Sequence, residues 1–271
     1  MVALLLSLCI LAIPFVFPLL WMLSSSLKPL AQVLSLPPNL VPANPTLQPY
    51  IDVFEQQPFA QQYWNSLYIA VVVTVCSIAV ASLAGYAFAR IKFPGVNALF
   101  LVVLLGLLLP SEVTIVPLFQ LFSGLGLIDT HWPLILIPVF GAPSVMGIFI
   151  MRQFFIALPG ELEEAGQIDG LSRFGIFRRI ALPLAGPAIA SVAIFTFLHS
   201  WNMFLEPLVF LTTKTNFTLP LALTQYVDLT STPIWNVQMA AATLTVIPVL
   251  VVFIFAQRQF VQGLAQTGLK G

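Results

Sequence analysis

The sequence predicts an all-α polytopic membrane protein with six transmembrane helices and both termini in the cytoplasm. Three observations predict it. The chain is 59% hydrophobic and only 7% charged, where a soluble domain is roughly one quarter charged. With mean hydropathy +1.00, so much apolar surface needs lipid as its solvent. Finally, uncharged runs of spanning length alternate with short polar segments, and the basic residues fall unevenly between those segments. The formal net charge is zero, so there is no basic field for nucleic acid. Cys9 and Cys76 both lie in apolar runs and read as small buried hydrophobes.

Residues 2–23 carry no charge and reach Trp21, an interfacial residue. They have no basic n-region and no Ala-x-Ala cleavage site, so an uncleaved helix is expected, kinked at Pro14 and Pro18. Residues 24–65 form the expected external loop. Its prolines at 37, 38, 42, 45 and 49 stop any long helix before Tyr50. A second span is expected over 67–89, ended by Arg90, Lys92 and the Pro94-Gly95 turn. A third covers 99–122 and is interrupted by Pro110, Glu112 and Pro117. Such a break is tolerated where it faces protein or a wet cavity. After a turn at 124–131, a fourth span occupies 133–151, a fifth 184–211 and a sixth 237–256. With the N-terminus inside, eight of the ten Lys and Arg residues fall in inside segments, and only Lys28 and Lys214 fall outside.

The longest polar stretch between apolar runs is 158–183, preceded by Arg152. Glu161, Glu163 and Glu164 follow Pro159 and suit the positive end of a helix dipole. Leu162, Ala165 and Ile168 make a narrow apolar stripe. Ala165-Gly166 leaves little side-chain bulk, Asp169-Gly170 turns the chain, and Ser172 can cap a second short helix with Phe174 and Phe177 on one face. Two readings fit this composition. One is an amphipathic hairpin resting on lipid. The other is a pair of short helices docked into a cytoplasmic subunit.

The order Glu164-Ala165-Gly166, Gly170, Ile180-Ala181-Leu182-Pro183 resembles the EAA motif of permease subunits in binding-protein-dependent ABC importers. Every spacing matches. Gly166 departs from the family's alanine, which weakens the helix by roughly 0.5–1 kcal/mol. Ala84-Gly85-Tyr86-Ala87-Phe88-Ala89-Arg90, Gly126-Leu127-Ile128-Asp129-Thr130, Arg152-Gln153-Phe154-Phe155 and Trp201-Asn202 with Phe204-Leu205 and Pro207-Leu208 resemble the carbohydrate-uptake branch, on the side of the maltose-type second permease.

The resemblance implies a type I ABC importer permease fold, with residues 1–271 as one transmembrane domain and 152–183 as its cytoplasmic coupling loop. Glu164 would be the main polar contact to the ATPase, with Ala165, Gly166, Asp169, Gly170, Phe174 and Phe177 beside it; the tail 262–271 would be either a secondary contact or a frayed terminus. The implied partners are two cytoplasmic ATPase subunits, a second and different permease chain, an extracytoplasmic solute-binding protein, membrane lipid and a sugar-like substrate. ATP and magnesium belong on the ATPase, because this chain has no GxxxxGK[ST] and no cofactor site of its own. The implied location is a prokaryotic cytoplasmic membrane.

Glu112, His199, Asn202 and Glu206 are the candidates for the translocation pathway, since ionisable groups at membrane depth are costly without a role. Trp201 could stack on a sugar ring or anchor at the interface. The rival class is an ion-coupled secondary transporter or channel. Its relay would have to be built from Glu112, Glu206 and His199, and no paired half-helix repeat supports it.

Overall fold

The computed structural model describes residues 2–268, with side chains for residues 7, 8 and 11–254. Among the described residues the regular structure is helical, apart from one isolated bridge, Val227 with Pro233. The helices are α1 (Val2–Ser25), α2 (Gln48–Gln56), α3 (Phe59–Arg90), α4 (Val96–Leu105), α5 (Ser111–Gly124), α6 (Trp132–Phe140), α7 (Ala142–Ala157), α8 (Glu161–Ile168), α9 (Arg173–Leu184), α10 (Gly186–Trp201), α11 (Leu205–Phe210), α12 (Leu219–Leu223) and α13 (Trp235–Gly268).

The expectation of six spanning helices is not met. Among the described residues, three helices are long and apolar enough to cross a membrane: Phe59–Arg90, Trp132–Ala157 and Trp235–Ile254. A fourth is counted if the bent pair α9–α10 is one span, and that pair turns by 77°. Of α1, the part with described side chains, Leu11–Ser25, is too short to qualify. The expected third span is two pieces. α4 is ten residues long, and α5 begins after an extended Pro110 (ψ 138°). Proline lacks the N–H that would continue the ladder and pushes the residue before it out of the α region. The expected fifth span likewise ends at Trp201, and the chain turns through Asn202–Phe204 into the six-residue α11. The second span starts earlier than expected, at Phe59, so polar Gln62 and Asn65 join an otherwise apolar helix.

The chain divides into two compact units. In the first, residues 1–65 with 213–250, amide side chains hold backbone that lies outside the α-helices. Gln57 donates to the Gln225 carbonyl (3.3 Å), Gln62 to that of Lys214 (3.0 Å), and Asn65 to those of Thr215 (2.8 Å) and Phe217 (3.1 Å). Tyr226, fully buried, donates to the Val53 carbonyl at 3.1 Å. Lys28 is buried too. Its ammonium lies 4.9 Å from the Trp21 ring centre and donates to the Asn39 carbonyl, and desolvation pulls its pKa below the ordinary lysine value.

The second unit, residues 66–212 with 251–271, contains both candidate regions. Its centre is the crossing of α3, α7 and α10. A Cβ on Gly147 would stand 3.0 Å from Ala81 Cβ and 3.1 Å from Val192 Cγ1, so α7 passes both neighbours at nearly backbone contact. Gly85 is tighter still: its Cβ would meet Met151 Cβ at 2.7 Å and the Arg152 backbone nitrogen at 3.0 Å. Small residues at helix crossings are how helices pack where lipid supplies no hydrophobic drive. Ser77 and Ser144 add a buried hydroxyl pair at 2.9 Å between α3 and α7.

Candidate functional site: a two-helix polar loop and a cavity at the far end of its supports

α8 begins beside the end of α3. Glu161, Glu163 and Glu164 occupy its first turn, where carboxylates favour the helix dipole. Arg90, the last residue of α3, sets its position. The Arg90 Nε lies 3.3 Å from Glu163 Oε1, and its Nη2 donates to the Leu158 carbonyl. A partly exposed ion pair of this kind contributes on the order of 1 kcal/mol or less, so its importance lies in alignment. Neither Arg90 nor Glu163 was marked as a site residue from the sequence. Their signal was a basic helix end and an acidic helix start that close on each other across a loop.

The turn after α8 needs a left-handed residue, and Gly170 supplies it with φ +77°. Ser172 then caps α9, its Oγ accepting from the Gly175 N–H at 3.1 Å. Gly166 is buried against α9. A methyl there would come within 2.8 Å of Ile180 Cδ1 and 3.1 Å of Ile176 Cγ1, so the alanine that the family resemblance leads one to expect would need these side chains to shift.

Phe177 and Phe174 separate. Phe177 is buried, with its ring centre 5.1 Å from Tyr86 and 6.4 Å from Phe155, and opens a π-helical stretch, Phe177–Ala181. Phe174 remains 63% exposed. Ile168, 86% exposed, and Leu162 are exposed apolar residues of the same loop, as are the charged Glu164, Asp169 and Arg173. Arg152, in the last turns of α7, braces the same base. It donates to the Phe88 carbonyl (3.3 Å) and Asn97 (3.4 Å), and lies 4.2 Å from the Phe100 ring centre.

α7 and α10 both run from this base to a cavity of about 700 Å³ at their other ends. Its wall includes Ala142, Pro143 and Val145 from the start of α7 and His199 from the end of α10. Glu206 of α11 lines it too, as do Ser111 and Thr114 of α5. Of the four pathway candidates the structure therefore brings together His199 and Glu206. Glu112 is exposed in the first turn of α5, outside that lining. Asn202 is also outside it, and its side chain turns back to the Leu198 carbonyl at 2.8 Å. Trp201 is buried and stacked on Phe197 (5.7 Å, 13°), so neither sugar stacking nor interface anchoring uses its ring here. The tail 262–271 lies outside the residues with described side chains.

Comparison with known proteins identifies the arrangement. Residues 77–266 match the family described as binding-protein-dependent transport system inner membrane component. The chain belongs to this family. It is 40% identical over 265 residues to the arabinooligosaccharides transport system permease protein AraQ of Halalkalibacterium halodurans, covering 94% of this chain and 91% of that one. It is 37% identical over 264 residues to the inner membrane ABC transporter permease protein YcjP of Escherichia coli, again covering 94% of this chain and 91% of the relative. In fold it is similar to a chain of a bacterial ABC transporter that imports the acidic polysaccharide alginate. That likeness has TM-score 0.81 and 22% identity, over 95% of each chain. The chain is thus a multi-pass inner-membrane permease subunit of a multi-subunit ABC importer, non-catalytic itself and coupled to separate ATPase subunits.

Proposed function

We propose that this permease works in an importer of a sugar or related polyol, and that residues 152–183 are the loop through which ATPase subunits move it. The observation that carries the reading is the exposure of Leu162, Ile168 and Phe174 on a loop that also exposes Glu164, set on a base held by Arg90, Arg152 and Phe177. Apolar side chains this exposed, accompanied by charge and mounted on a rigid base, make a surface for a protein partner. The carbohydrate class is supported by the motifs shared with the sugar-uptake branch and by the relative named for arabinooligosaccharides.

In this reading Glu164 is the polar contact, Ala165 and Gly166 permit close packing, and Gly170 forms the turn. The remaining partners are a second permease of different sequence and an extracytoplasmic binding protein, with two copies of the ATPase. Residues 1–271 act as one transmembrane domain. When the ATPase subunits close on ATP, α8 is displaced. Arg90 passes the displacement to α3, and the Phe177–Phe155 contact passes it to α7. Because α7 and α10 cross at Gly147 with no slack, their far ends move with their near ends, and the cavity changes shape. Nucleotide thereby biases a two-state element.

The test is the side on which the loop lies. With Cys9 and Cys76 replaced, Ser172→Cys is expected to resist a membrane-impermeant thiol reagent in intact cells and to react in inverted vesicles. Labelling from outside would remove the loop from any cytoplasmic ATPase and end the proposal.

A further inference from the structure

The cavity at the far ends of α7 and α10 is bordered by three interruptions of helical structure. α4 ends beside Gly106, Gly141 separates α6 from α7 in an extended conformation, and Asn202–Phe204 separates α10 from α11. Two of those breaks supply lining residues, Gly106 and Gly141, and the third places Glu206 on the wall. Non-helical backbone at membrane depth is tolerated where it is buried in protein or lines a wet cavity. Glu206 is 7% exposed, and no hydrogen bond or ion pair holds its carboxylate among the described residues. Its charge is felt by His199 across the cavity, and its oxygens open onto that space, where a ligand hydroxyl or water can reach them.

Lys and Arg are absent from the lining, where His199 is the other ionisable group and Ser111 and Thr114 supply hydroxyls. The rest is apolar, including Phe122, Pro117 and Pro143. A few placed polar groups on an apolar wall are the usual make-up of a small-molecule site. The C–H faces of a sugar ring fit such a wall, and its hydroxyls can donate to a carboxylate.

From this we infer that the Glu206–His199 cavity is a substrate-contact site on this permease that accepts an uncharged sugar unit and rejects anionic sugars. Glu206 receives ring hydroxyls, and a uronate or sugar phosphate meets its charge with no cation to offset it. The inference rests on the sugar-importer reading and adds which sugars pass.

The test uses the complete importer in proteoliposomes at pH 8, above the ordinary imidazole pKa of about 6.5. The native cysteines are replaced, and Thr114→Cys reports from the cavity wall. Rates with a cationic and an anionic methanethiosulfonate reagent are measured and normalised to a free thiol. The cationic reagent is expected to be favoured about fivefold or more, the ratio that one charge about 8 Å away gives at the dielectric of water. Adding Glu206→Gln is expected to bring the ratio close to one. Arabinotriose is expected to slow labelling, and trigalacturonate is not.

Equal rates for the two reagents, or protection by both sugars or by neither, would overturn the inference. So would absence of labelling in the assembled complex, which would mean that the partner permease or lipid covers the cavity. If the complex contains no ATPase, it is the importer reading that fails; if it assembles and hydrolyses ATP but shows no charge preference, only the site assignment fails.

Discussion

At the scale of single residues, function depends on a few contacts of small energy and definite geometry. Arg90 and Glu163 are the clearest case. Their ion pair is too weak to decide whether the chain folds, yet it is where α8 meets α3. Arg90→Ala or Glu163→Ala is expected to leave assembly with the ATPase intact and to lower substrate moved per ATP hydrolysed several-fold. The double charge exchange should recover part of the loss. Equal transport-to-hydrolysis ratios in all variants would show that the contact carries no motion. Phe177 differs in kind, because its ring fills the base. Phe177→Ala is expected to destabilise by about 3–5 kcal/mol, read as a drop in the thermal aggregation midpoint in detergent, whereas exposed Phe174→Ala should leave that midpoint nearly unchanged.

Asp228 gives a pH-dependent case in the first unit. It accepts from the Thr230 Oγ1 (2.7 Å), the Thr230 N–H (2.8 Å) and the Thr232 N–H (2.9 Å). These bonds, the Thr230 hydroxyl first, hold its carboxyl below the usual value of 3.8. A depressed pKa means that the carboxylate's contribution is present above 3.8 and is lost as pH falls through the lower, folded-state value. Asp228→Asn removes the charge at any pH. It is expected to raise proteolytic cleavage at the exposed Leu229 at neutral pH, and unchanged cleavage would show that the turn holds without the carboxylate.

At the scale of elements, the helices meet through glycines. Gly85→Ala sets a methyl against Met151 Cβ and the α7 backbone, neither of which is a flexible side-chain end. Overpacking of this kind is expected to cost about 1–3 kcal/mol. Gly166→Ala meets the tip of Ile180 and the Ile176 side chain but no backbone, and it restores helix propensity, so the expected net change is small. The contrast can be read from the two thermal midpoints.

The two-helix loop was legible in the sequence because its devices are local. Acids at a helix start, Gly170 at the turn and Ser172 at a cap each follow from neighbouring residues. The span count was not legible, since a hydropathy run does not reveal where backbone leaves the α conformation. Pro110 was recognised as an interruption, but the apolar residues around it still read as one span. The bend before Gly186 has no comparable marker, because Pro183 lies inside α9 and the chain turns after it. The partnership of Arg90 with Glu163 and the packing of Phe177 on Tyr86 join residues 73 and 91 apart in sequence, and helical periodicity carries no such information. Gln62 and Asn65 did leave a trace, as amides three apart at the mouth of an apolar helix.

For the whole molecule, the second unit joins a polar loop to a cavity through two helices that cross without slack. That connection is what a coupled permease needs, and the proposed coupling requires an ATPase on the loop. The most direct measurement is co-purification of the tagged chain in mild detergent, with the recovered proteins identified by mass spectrometry. The expected result is an ATPase subunit and a second permease, with the ATPase lost when Glu164→Lys and Gly170→Val are introduced together while the second permease is retained. A chain recovered alone or only with itself, under conditions that keep another importer of this family intact, would contradict the account.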